Sequence, residues 1–170
     1  PFNSNATYNV LFSQQNGRQS GAQIQAFEDT WRWDEMAART YELIVEGGGP
    51  VADALRAFRG LLGDSNMLAY LVMMAPRLVE LHRVLKSTGS LYLHCDPTAS
   101  HYLKIILDTI FGGENFRNEI IWKRTSAHND PSRYGRIHDS IFFYSKSEIY
   151  AWNTVYMPYD DEYIKTYYRY

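Results

Sequence analysis

Cysteine occurs once in the 170 residues, at Cys95, so no intrachain disulfide framework can brace this chain, and a lone thiol fits a reducing compartment. Long apolar runs are missing too. No stretch approaches the roughly 20 residues of a membrane-spanning helix, and no secretory signal is visible. A cytoplasmic location with no membrane partner is the expectation. A dominant charge of one sign is also lacking, because 17 Lys and Arg face 19 Asp and Glu for a net charge of −2. The chain as a whole is therefore not a strongly basic nucleic-acid binder, and such a partner would need a local patch. Finally, no glycine-rich turn leads from a strand into a helix. Gly47–Gly49 follows a helical pattern, which makes it a poor phosphate cradle.

What is present describes an ordinary globular chain with an excess of aromatics. The length suffices for one sizeable core, and 45% apolar with 21% charged residues argues against wholesale disorder. Fourteen Tyr and four Trp are many, and several crowd the final stretch "YAWNTVYMPYDDEYIKTYYRY". Residues 1–24, rich in Asn, Gln, Ser and Gly, read as an irregular surface loop. A helix is expected from near Asp34 to just before Gly47–Gly49. A second starts at Pro50, carries Val51, Leu55, Phe58 and Leu62 at helical spacing, and stops at Gly63. A third is capped by Ser65 or Asn66, repeats Leu68, Leu71, Val72, Leu78 and Leu85 on one face, and is expected to end at Gly89. Pro76 within it predicts a kink or a fresh start.

"SLYLHCD" then reads as a strand buried on both faces. Asp96 and Pro97 open a further helix, "PTASHYLKIILDTIFGG", as N-cap and first residue. "NEIIWKR" and "DSIFFYSKSE" are two more strands, and the tail after Trp152 shows no clear period. Strand, helix, strand points to an α/β doubly wound sheet, but three strands are few for one. The sheet is expected to be incomplete.

Three stretches carry residue types that do chemistry. The connection "KRTSAHNDPSRYGRIH" sets Lys123, Arg124, Arg133 and Arg136 among His128 and Tyr134, with Asp130 its only acid. A solvated loop is one reading; phosphate contact with aromatic stacking is the other. In "HCD", the residues His94, Cys95 and Asp96, with His101 nearby, are metal-ligand types at a spacing that matches no closed zinc pattern, so no metal is expected. Helix capping is the plain role for Asp96. Trp31 and Trp33 read as structural.

The third stretch is the opening, "PFNSNATYNVLF". Together with "RLVELHRVLKSTGSLYLHCDPTASHYLK" and "NEIIWKR…YGRIHDSIFFYSK", it resembles the DNA amino-methyltransferases that modify adenine N6 or cytosine N4. The resemblance is to the permuted group, in which the catalytic motif precedes the cofactor motif, and it runs over most of residues 1–150. That family's motif is Asp-Pro-Pro followed by Tyr or Phe, and the opening looks like its second half. Residues 1–150 are thus expected to be the catalytic side of a methylase domain, and 151–170 the start of a following region. The expected fold is an α/β, Rossmann-like S-adenosylmethionine-dependent methyltransferase sheet, with the three strands standing as its fifth, sixth and seventh.

The resemblance implies the chemistry as well. The lone pair of an exocyclic amine is delocalised into the base, so the family aims hydrogen-bond acceptors at the amine protons and directs the freed lone pair at the sulfonium methyl. The base must leave the duplex and rest against an aromatic ring. Phe2 is implied as that ring, Pro1 as the residue presenting it, and Asn3, Ser4 and Asn5 as contacts to DNA. Lys123, Arg124, His128, Arg133, Tyr134 and Arg136 are implied as DNA contacts, with His94 and Asp96 at the rim of the site. The implied cofactor is S-adenosylmethionine, its main binding motif outside this chain, and the implied partners are DNA and a restriction subunit. Adenine N6 is the first expectation and cytosine N4 the second. With the motif's opening acid absent, the isolated chain is expected to be inactive. A non-catalytic nucleic-acid-binding α/β module is the alternative from another class.

Overall fold

The structure, a computed structural model, describes residues 31–124, 131–132, 134–135, 137–156 and 158–167, together with the backbone of 7–8 and 24–25. A two-residue antiparallel ladder pairs β1 (Thr7–Tyr8) with β2 (Ile24–Gln25). The opening segment is therefore not irregular throughout. The predicted helices follow as α1 (Glu35–Gly47), α2 (Pro50–Leu62) and α3 (Asn66–Val84). Their starts are chemically marked. The Asp34 carboxylate accepts from the Ala37 amide at 2.9 Å, and the Ser65 hydroxyl accepts from Leu68 at 3.2 Å. Between α1 and α2 the chain reverses on Gly48 and Gly49, whose φ values of 68° and 88° suit residues without a Cβ.

The third helix departs from expectation twice. It runs through Pro76, where the neighbouring Ala75 and Leu78 are fully buried and their packing offsets the lost hydrogen bond. It also ends at Val84 rather than Gly89, because Leu85 turns extended. Gly89 instead closes the following turn, donating its amide to the Lys86 carbonyl at 2.8 Å. A Cβ there would stand 2.9 Å from that same oxygen, so the close approach requires glycine.

Next come β3 (Ser90–Cys95), α4 (Pro97–Phe111), a single 3-10 turn, β4 (Phe116–Lys123) and β5 (His138–Ser145). The sheet order is β3-β5-β4, with the last strand inserted between the other two and antiparallel to both. One face of this sheet meets the helices. Leu91, Leu93, Cys95, Phe142 and Tyr144 join Leu71, Leu78, Leu103, Ile106, Leu107 and Phe111 in one core. Across it, the Tyr144 hydroxyl donates to Asp108 Oδ1 at 2.6 Å, and Lys104 Nζ holds both Asp108 oxygens at 2.7 Å. Trp31 stands edge-on to Tyr70, and Trp33 to Tyr41, with the Arg59 guanidinium over Trp33 and Tyr41. Both tryptophans are structural, as read from the sequence.

The other sheet face corrects the reading of "SLYLHCD" as buried on both sides. Tyr92, His94, Ile120 and Trp122 are exposed there. Among the described residues no helix covers that face; the rings of Tyr92, Tyr150 and Trp152 lie 4.5–5.8 Å from that of the buried Phe143. In the tail, α5 (Asp161–Tyr167) forms where no period was evident. Asp160 caps it by accepting from the Glu162 amide at 2.8 Å, and Tyr159, Tyr163 and Tyr167 stack at i, i+4 spacing.

Candidate nucleic-acid interface

The carboxyl ends of β3 and β4 and the beginning of β5 meet at one edge, because the middle strand runs against both neighbours. Cys95 pairs with Ser140, Trp122 with Asp139, and Lys123 with His138. Three strands thus deliver their terminal side chains to one small area.

Its centre is Asp139. This carboxylate is 4% exposed, and its Oδ2 lies 3.0 Å from His94 Nε2. A carboxylate only accepts, so His94 carries a proton on Nε2. Arg124 Nη1 lies 3.3 Å from the other oxygen, Oδ1, close enough to balance its charge but not aimed to hydrogen-bond it. A buried acceptor without a hydrogen bond is costly and rare. The Trp122 indole leans on the His94 ring at 5.5 Å, and the side chains of His94, Trp122 and Arg124 are each about half exposed (51%, 51% and 52%). The Arg124 amide donates to the Ile137 carbonyl at 2.8 Å, which extends the β4–β5 ladder by one step and fixes where that side chain departs.

Beneath the edge, on the core side, Cys95 is buried. Burial, then the negative charges of Asp96, Glu119 and Asp139, push its thiol up to about 12, so it is neither thiolate nor nucleophile near neutral pH. Burial, with Cys95 and Asp96 beside it, also pushes the Tyr70 hydroxyl up to about 12. Asp96 is the N-cap of α4, its Oδ1 accepting from the amides of Thr98 at 2.8 Å and Ala99 at 3.3 Å. The strand-to-helix turn at this edge is thereby closed by the chain's own carboxylate. It offers no glycine cradle, and the described residues do not fit the primary seat of S-adenosylmethionine.

The predicted site residues divide clearly. His94, Asp96, Lys123 and Arg124 converge on this edge, with Lys123 exposed as the last residue of β4. Tyr134 is fully exposed and is not brought to this edge by any contact with the described residues. Pro1, Phe2, Asn3, Ser4, Asn5, His128, Arg133 and Arg136 lie outside the described residues. Sequence reading missed Asp139 and Trp122. Their signals were a carboxylate just ahead of the apolar run 141–144, and an aromatic directly before two cations.

An exposed indole beside Lys123 and Arg124 at the carboxyl edge of an α/β sheet is a combination of stacking surface and positive charge. Comparison with known proteins makes this specific. The family model for DNA methylases, the N6 and N4 methyltransferases, matches residues 8–169, and the chain belongs to that family. It is 36% identical over 86 residues, half of this chain, to the Type II methyltransferase M.EcaI of Enterobacter cloacae. It is 29% identical over 86 residues to the EcoP15I Mod subunit of Escherichia coli, a Type III restriction-modification enzyme. It is 31% identical over 94 residues to the StyLTI Mod subunit of Salmonella typhimurium. These stretches span 19%, 13% and 14% of the respective relatives, so the match is to a small part of each. The fold is the expected class, an incomplete α/β methyltransferase sheet with flanking helices. No described helix is long and apolar enough to cross a membrane.

Proposed function

We propose that this chain is the catalytic-side segment of a DNA methyltransferase that transfers the methyl group of S-adenosylmethionine to adenine N6. The family match over residues 8–169 carries the reading. The edge built from His94, Asp139, Trp122, Lys123 and Arg124 supports it, being suited to hold DNA where the strands end. Pro1 and Phe2 are the proposed base-holding residues, with Asn3, Ser4 and Asn5 beside them. Lys123, Arg124, His128, Arg133, Tyr134 and Arg136 are the proposed DNA contacts. Two Mod subunits among the relatives support adenine N6 over cytosine N4, and a restriction subunit as partner. Transfer to cytosine N4 is the second reading, since the family covers both amines.

The test is expression of the complete reading frame in a methylation-free host, with hydrolysed host DNA read by mass spectrometry. N6-methyladenine is expected. N4-methylcytosine moves the assignment to the second reading. Neither base, from a protein that still binds DNA, favours a non-catalytic module.

A further inference from the structure

Burying a carboxylate under the exposed edge of a sheet is expensive, and Asp139 is not repaid by complete hydrogen bonding. One oxygen has no hydrogen-bond donor, and its two counter-groups are each about half exposed. An apolar residue would serve stability at least as well there. What the carboxylate does achieve is spatial. It draws the ends of two other strands to one point, taking His94 from β3 and Arg124 from just beyond β4, with the indole of Trp122 against the His94 ring and paired across the ladder from Asp139 itself. With Nε2 committed, Nδ1 of His94 and the other N–H groups of the Arg124 guanidinium make no hydrogen bond to another described residue.

We propose that Asp139 is a positioning residue that clamps His94 and Arg124 together as one DNA-contacting pair, their cationic and imidazole groups framing the Trp122 ring for a nucleotide. The proposal rests on the DNA reading above. It makes a prediction opposite in sign to simple electrostatics. Removing an acid near a polyanion site should strengthen binding if charge alone matters. Removing a clamp should weaken it.

The experiment measures binding of the full 170-residue chain to a fluorescent single-stranded oligonucleotide at low salt. Asp139→Asn is expected to weaken binding by about fivefold or more, the scale of a lost charge-assisted contact, with unchanged circular dichroism. The double variant with Arg124→Gln should bind no worse than Arg124→Gln alone. Unchanged or tighter binding by Asp139→Asn, or losses that simply multiply, overturns the clamp while leaving the DNA reading intact. No binding by the unaltered chain overturns both. Should Asp139→Asn fail to fold, two further measurements decide. Arg124→Lys, on an exposed side chain, keeps the charge but loses the fork and is expected to bind several-fold more weakly; equal affinity overturns the proposal. Nitrogen-15 shifts of His94 in the unaltered chain should show the proton on Nε2, and an Nδ1-protonated neutral ring also overturns it.

Discussion

Cys95 shows how a neighbourhood decides what a reactive residue can do. A thiol beside a histidine and an acid looks chemically active when read along the chain. In the fold it faces the core and has three carboxylates near it, all of which oppose ionisation. It should therefore resist a soluble disulfide reagent at pH 8 in the native protein and react at once in denaturant; rapid native labelling would refute its burial. The same groups set an alkaline limit. Cys95 is raised from 9.0, Tyr70 from 10.0, and Tyr144 is raised as well, by burial and then by its bond to Asp108. A group whose folded pKa is raised contributes stability that is fully present below its unfolded pKa and is lost as pH climbs toward the folded one. The denaturant midpoint should hold steady from pH 7 to about 8.5 and fall from about pH 9 upward, read by urea titration at each pH.

At the scale of elements, α4 is the hinge between core and site. Its N-cap, Asp96, sits at the candidate edge, and its far half packs on the sheet through Leu103, Ile106, Leu107 and Phe111. Replacing Asp96 with Ala removes the side-chain acceptor of the Thr98 and Ala99 amides and should cost about 1 kcal/mol in chemical denaturation. Tyr144→Phe removes the donor from Asp108, leaving Lys104 as that carboxylate's remaining partner, and should cost about 1–2 kcal/mol. Leu103→Ala, at a fully buried position, should cost more, about 2–5 kcal/mol. If the first two substitutions prove as damaging as the third, polar pairing outweighs packing in joining α4 to the sheet. Most of these elements were legible in the sequence, because caps and 3.6-residue periods are local signals. The end of α3 was not, since Gly89 marks a turn and the helix yields earlier at Leu85. Nor was α5, whose tyrosine stack is read from a spacing easily lost among so many aromatics.

For the whole molecule, the closed turn at Asp96 bears on activity. The described residues set the edge proposed above for DNA beside a strand-to-helix turn that Asp96 closes, with no glycine cradle for the methyl donor among them. Incubated alone with labelled S-adenosylmethionine and DNA, the 170-residue chain should transfer no methyl group above background. Detectable label in the DNA would place a working cofactor seat within these residues.

By itself the sequence determined the starts of the first four helices, the three strands of the larger sheet, the structural roles of Trp31 and Trp33, and the resemblance that the family match bears out. Each depends on neighbours within a few positions, or on motifs read straight along the chain. Only the tertiary structure decided that β5 slides between β3 and β4, which carries Asp139 to His94 across 45 residues of chain. Strand order is set by packing and backbone pairing between distant segments, and no local pattern encodes it. The group that organises the edge therefore could not be read from the sequence until the sheet had closed around it.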